Sequence, residues 1–201
     1  MNSEHIDIRQ HILDMAKPII LGKGFSGAGL NELLCAAQVP KGSFYHYFKS
    51  KESFGEALLE HYFADYLVHL EVLFTRPDAT AAERLMDYWQ LWLETQASDG
   101  PDGKCLAVKL GSEVSDLSEA MRATLQSGTS QIIARLATCI RAGTADASLP
   151  QDIDADHAAQ TLYQMWLGAT LLAKIRRDRS ALDSAMAATV QLLKLTGISS
   201  R

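Results

Sequence analysis

Apolar residues recur along this chain at intervals of three and four, the spacing of helices that each bury one face. Ile8, Ile12, Met15, Ile19 and Ile20 form a first stripe, and Gly22 and Gly24 follow as stop signals. A helix to about Leu21 is predicted, with Phe25 folding back on it. Pro18 falls inside that helix, where one lost hydrogen bond predicts a kink and not a break. Leu30, Leu33, Leu34 and Ala37 make a short second stripe closed by Gln38-Val39-Pro40, and Pro40 suits the first turn of another short helix holding Phe44 and Phe48. Ser50 and Ser53, with Glu52 in the first turn, then open a long amphipathic run through Phe54, Leu58, Tyr62, Tyr66, Leu70 and Phe74, stopped near Pro77. This fourth helix joins the amino-terminal end to everything downstream.

Beyond Pro77 the pattern predicts a helix over 81–97 and a Gly-Pro-Asp-Gly loop at 100–103. A short apolar segment from Cys105 to Val114 follows, then helices over 117–142, 155–175 and 181–195. No run alternates with the period of a strand, so the expected fold is all-α with about nine helices.

Composition narrows the function classes. Residues 1–53 hold six Lys/Arg against five acids and the remainder thirteen against nineteen, so a slightly basic amino-terminal quarter precedes an acidic remainder. With a net charge of −5 the chain is not one that coats nucleic acid by charge alone, so any such site must be local. Three cysteines without paired spacing give neither a disulfide framework nor a metal box, and suit a reducing compartment. No metal and no cofactor is expected. The start lacks a cationic-then-apolar leader and residues 162–175 are too short to span a bilayer, so the expected location is cytoplasmic, without a membrane partner.

The stretch from Gln38 to Lys51 carries three lysines, a histidine and several aromatic rings but no acid, as a phosphate-facing surface requires. Composition alone fits a solvated helix end as well. The arrangement adds more: helix, tight turn, helix, with Phe44 and Phe48 at i and i+4 leaving Lys41, Ser43, Tyr45, His46 and Tyr47 to face outward. Gly42 permits close backbone approach, and amides near Lys41 to Ser43 are expected to be open donors for a phosphate. The run Val39-Pro40-Lys41-Gly42-Ser43-Phe44-Tyr45-His46-Tyr47-Phe48-Lys49-Ser50-Lys51-Glu52, preceded by Gly24-Phe25 and Leu33, resembles the DNA-binding signature of the TetR/AcrR transcriptional regulators. That resemblance implies a three-helix helix-turn-helix domain over 1–50, a larger helical ligand-sensing and dimerisation domain over 51–201, and release of DNA when a small molecule acts. It implies groove contacts from Lys41, Ser43, Tyr45 and His46 and phosphate contacts from Tyr47 and Lys51. Ala28-Gly29 stands where the family often has a capping threonine, which removes that phosphate contact from the expected set.

Gly103 to Leu110, Glu113-Val114, Asp116 to Glu119, Met121-Arg122, Trp166 to Ala169 and Ala173 to Ile175 are similar to a branch of that family that represses detoxification genes and senses electrophiles or oxidants through a cysteine. Cys105 has the right setting for the role, at the expected start of a helix whose amides favour a thiolate, with Lys104 and Lys109 adding positive charge. An inert buried thiol is the alternative. Lys174 is read either as its charge partner or as a cation snorkelling beside Arg176 and Arg177. Cys139 lies on an apolar face with Ile132, Leu136 and Ile140 and is expected to be buried, while Cys35 is off its stripe and without a role. Tyr88, Trp89, Trp92, Tyr163, Met165 and Trp166 would line a pocket for an apolar effector or else form core.

Stripes at Ala158, Ala159, Leu162, Trp166, Ala169 and Leu172, and at Leu182, Ala185, Met186, Thr189 and Leu193, are expected to pair two copies through the last two helices. A two-fold dimer would read a roughly palindromic double-stranded operator. The resulting expectation is a non-enzymatic repressor released when Cys105 reacts. The competing readings are a repressor with a reversibly bound apolar inducer, a thiol enzyme and a protein-contact adaptor.

Overall fold

Asp7 starts the first helix by accepting hydrogen bonds on its carboxylate from the amides of Arg9 and Gln10, at 3.0 and 3.3 Å. In the computed structural model, which describes residues 7–97 and 105–195, this helix, α1 (Ile8–Lys23), runs unbroken through Pro18. Its buried side is Ile12, Leu13, Ala16, Ile20 and Leu21. The described residues hold eight further helices and no strand: α2 (Leu30–Ala37), α3 (Lys41–Tyr47), α4 (Lys51–Phe74), α5 (Ala81–Ala97), α6 (Leu106–Leu117), α7 (Glu119–Ala145), α8 (Ala155–Arg176) and α9 (Ser180–Leu192). The all-α fold of about nine helices matches the expectation from periodicity.

Two compact units emerge, one formed by residues 1–65 with 104–128 and the other by 66–103 with 129–201. The boundary expected after residue 50 falls inside the first unit, because the half of α4 up to Asp65 and all of α6 pack there. Within it α1, α2 and α3 pack on one another. Gln38 ends α2 in the left-handed region at φ 54°, and the amides of Gln38 and Val39 return to the carbonyls of Cys35 and Leu34. Pro40 then caps α3, whose Phe44 is fully buried against Phe48 and Phe54 at ring distances of 5.2 and 5.4 Å. Ser50 and Ser53 cap α4 reciprocally, each amide donating to the other's hydroxyl at 3.0 and 3.1 Å. Gly29 caps α2 with no side-chain bond, in keeping with the missing threonine.

The second unit is built on tryptophan. Trp89 of α5 stacks on Trp166 of α8 at 5.0 Å and 11°, and Trp92 meets Tyr163 edge-on at 5.9 Å. Two indoles donate to buried threonines, Trp92 to Thr170 and Trp166 to Thr189, each at 2.9 Å. Here the structure corrects the expected dimer stripes. Ala158, Ala159, Leu162, Trp166 and Ala169 of α8, like Leu182, Ala185, Thr189 and Leu193, are buried within one protomer. The small residues that let helices approach closely serve the packing of α8 on α9, and of α9 on α5, inside the unit. Of the expected stripes Leu172 does face outward, beside Leu171 and Ile175 on α8, and Met186 is half-buried.

Thr189 is fully buried and its hydroxyl also donates to the Ala185 carbonyl at 2.7 Å. Thr189→Val keeps the shape but strands the Trp166 N–H, and urea denaturation should show a loss of about 1–3 kcal/mol.

Candidate functional site

The segment expected to meet DNA is a seven-residue helix, too short to persist unaided and held by the burial of Phe44. That anchor decides which residues face out: Lys41, Gly42, Tyr45, His46 and Tyr47 are exposed and Ser43 is half-buried. The Lys41 ammonium lies over the Tyr45 ring at 5.8 Å, and His46 meets Tyr47 edge-on at 4.9 Å. Six of the seven residues expected to meet DNA thus share one short segment. The seventh differs. Lys51 turns its ammonium onto the Phe25 carbonyl at 2.8 Å and over the Phe25 ring at 4.9 Å, fastening the connection between α1 and α2. Of the amides expected to be open at the start of α3, that of Ser43 donates to Pro40 at 2.9 Å inside the turn.

Cys105 is the N-cap of α6, and its carbonyl accepts from the Lys109 amide at 3.0 Å. Leu106, Leu110 and Val114 form the buried face of this helix. Cys105 is only 8% exposed, and the Tyr62 hydroxyl of α4 donates to its Sγ at 3.9 Å. Burial pushes the thiol pKa up from its ordinary value; the Val108 amide, the Tyr62 hydroxyl and the Ala107 amide pull it down without overcoming burial. The expected thiolate stabilisation at the helix start is therefore present but outweighed. Lys109 adds no charge there, because its ammonium donates to the Gly22 carbonyl at 3.1 Å, and Lys104 lies outside the described residues. Cys139 is buried and its pKa is pushed up to about 12, chiefly by desolvation, whereas Cys35 is exposed. Lys174 is exposed in the last turn of α8.

Of the aromatic set, Tyr88, Trp89, Trp92, Tyr163 and Trp166 are buried against one another and Met165 is half-buried. The described residues hold no cluster of three or more side chains suited to a metal ion, and no described helix is long and apolar enough to cross a membrane.

Comparison with known proteins places this geometry. Residues 12–58 match the family of bacterial regulatory proteins of the tetR type, and residues 81–189 match the tetracyclin repressor-like C-terminal domain. The chain belongs to the TetR family. It is 42% identical over 186 residues to the HTH-type transcriptional repressor NemR of Escherichia coli (strain K12), covering 92% of this chain and 93% of that one. It is 33% identical over 188 residues to the HTH-type transcriptional repressor DhaR of Mycobacterium sp. (strain GP1), covering 92% of each. The crystal structure of the reduced form of E. coli NemR superposes with a TM-score of 0.88 at 41% identity, over 96% of this chain and all of that one. This TetR-family chain is accordingly a DNA-binding transcription regulator, and regulators of the family bind operators and act as dimers.

Two residues of consequence escaped the sequence pattern. Tyr62 reads as one more apolar position of α4, yet its hydroxyl donates to Cys105, 43 residues away. Glu113 reads as a solvated acid, yet both its oxygens are engaged. In the native protein a maleimide should label Cys35 within minutes at pH 7, Cys105 more slowly and faster as pH rises, and Cys139 only after unfolding in urea. Peptide mass spectrometry of a time course at two pH values checks the order.

Proposed function

We propose that this protein is a dimeric transcriptional repressor released from its operator when an electrophile or oxidant modifies Cys105. The observation that carries the reading is the place of Cys105, the cap of a helix belonging to the same compact unit as the helix-turn-helix. Similarity to repressors, one of them known in a reduced form, supports it.

In this reading Lys41, Gly42, Ser43, Tyr45, His46 and Tyr47 meet the major groove and its phosphates. Dimerisation through the last two helices uses the outward residues of α8, Leu171, Leu172 and Ile175, and sets two recognition helices on a roughly palindromic site. The chemistry at Cys105 begins with loss of the thiol proton. With an activated alkene, Sγ bonds to the β-carbon, the π electrons move to the α-carbon, and that carbon takes a proton. With a hydroperoxide, Sγ takes the terminal oxygen as the O–O bond breaks, the departing alkoxide takes a proton, and sulfur is oxidised to sulfenic acid as the peroxide is reduced. Either product enlarges a site that is closed in the native state, so the segment from Cys105 to Val114 must repack against α4.

Cys105→Ser should bind operator DNA within about twofold of the parent protein, in the manner of a substitution away from the interface, and should stay bound when treated with maleimide or peroxide. Release by Cys105→Ser in a gel shift would instead favour a reversibly bound apolar inducer. Lys41→Ala should weaken operator binding and lower the slope of log affinity against log salt by about 1, as measured by fluorescence anisotropy.

A further inference from the structure

Glu113 stands two turns along α6 from Cys105, and its carboxylate bridges the backbone of the connection between α1 and α2. Oε2 accepts from the Phe25 amide at 3.1 Å and Oε1 from the Ser26 amide at 2.6 Å. Two successive amides converging on one carboxylate make a charge-assisted grip on the main chain. Gly24, at φ 82°, makes room for it, since a Cβ there would lie 2.8 Å from Oε2. One turn earlier on the same face of α6, Lys109 holds the Gly22 carbonyl. Phe25 is in turn buried and pressed close to Gly55 of α4, where a Cβ would come within 2.6 Å of its ring, and Lys51 holds its carbonyl. The gripped connection runs directly into the Gly29 cap of α2, the helix that braces α3.

Resting on the reading of Cys105 as sensor, we infer that Glu113 is the residue that carries its modification to the DNA-binding helices. A displacement of α6 started at its cap is passed by the carboxylate to the backbone at Phe25 and Ser26, and from there to α2 and α3. The rings of Phe44, Phe48 and Phe54 hold α3 without any part of α6, so the grip transmits a signal and is not needed for the DNA-binding helices to fold. Burial disfavours the carboxylate, but the Ser26 amide and hydroxyl, the Phe25 amide and Lys109 together hold its pKa below the ordinary value. The grip is therefore charged and closed at neutral pH, and is lost only as the solution is acidified through that depressed pKa.

The test uses the full-length chain and Glu113→Gln, which faces one amide donor with another. In reductant the variant should bind operator DNA like the parent protein. Complete maleimide modification of Cys105, verified by mass, should weaken operator binding of the parent by about tenfold or more and that of the variant by less than about threefold, the range over which coupled sites are typically read. Lys109→Met, which removes only the exposed second tie, should give an intermediate response. Equal weakening in parent and Glu113→Gln overturns the inference. So does a reduced Glu113→Gln that keeps its circular dichroism spectrum but no longer binds DNA, since the carboxylate would then maintain the binding form instead of carrying a signal. Hydrogen exchange over Gly22 to Ala28, measured without DNA, separates this inference from the sensor reading. Modification of Cys105 should raise exchange there in the parent and leave it unchanged in Glu113→Gln. Exchange unmoved by modification of the parent discards the Glu113 relay, whereas parent protein that shows raised exchange yet stays on DNA discards only the sensor reading.

Discussion

A helix of seven residues has too few internal hydrogen bonds to offset the entropy of forming it, so α3 exists because Phe44 is buried. The Phe44, Phe48 and Phe54 rings lie 5.2 to 5.4 Å apart, and the Arg9 guanidinium sits over Phe48 at 5.5 Å. This cluster does more than stabilise. At 3.6 residues per turn, anchoring one position fixes the direction of all the others. Lys41, Tyr45 and His46 point outward as a consequence of where Phe44 points inward, and the capping of α4 by Ser50 and Ser53 keeps the anchor in register with the helix that follows.

The fold was legible because each helix announces its buried face locally. The spans of α1 and α5 and the Ser50 start of α4 coincide with observed elements, and the end of α2 falls where Pro40 requires, but of the expected α1 stripe Ile8 and Met15 are exposed, and Leu13, Ala16 and Leu21 join Ile12 and Ile20 on the buried side. What the pattern does not contain is the partner of a face. The small residues of α8 and α9 allow close approach in the sequence, but whether to a second copy or to each other is decided by α5, whose Trp89 and Trp92 come from more than 60 residues upstream of α8. Glu113, Lys51 and Lys109 have backbone contacts hidden from the pattern for the same reason. Each meets a backbone group 26 to 88 residues distant, and no spacing rule reports main-chain donors and acceptors left open by a turn.

Cys105 illustrates two opposing requirements at one atom. Reaction needs the thiolate, to which the amides of α6 and the Tyr62 hydroxyl contribute, while coupling to the rest of the unit needs a packed position, which raises the thiol pKa. The structure favours packing. If Cys105 is the sensor proposed above, a thiol so placed stays quiet toward reagents that would consume Cys35 at the surface, and its response is governed by how often α6 opens as well as by intrinsic nucleophilicity.

The connection between α1 and α2 alternates exposed residues, Ser26, Gly27 and Gly29, with buried ones, Gly24, Phe25 and Ala28. Gly24 adopts a backbone angle that side chains disfavour, and a Cβ on Gly27 would lie 2.6 Å from the Lys23 carbonyl oxygen. Alanine at Gly27 displaces main chain, and alanine at Gly24 both strains the backbone and displaces the Glu113 carboxylate. For anyone engineering this regulator, the stretch that looks like the natural place to splice a tag or diversify a library is as unforgiving as the protein interior, and variation belongs elsewhere on the surface.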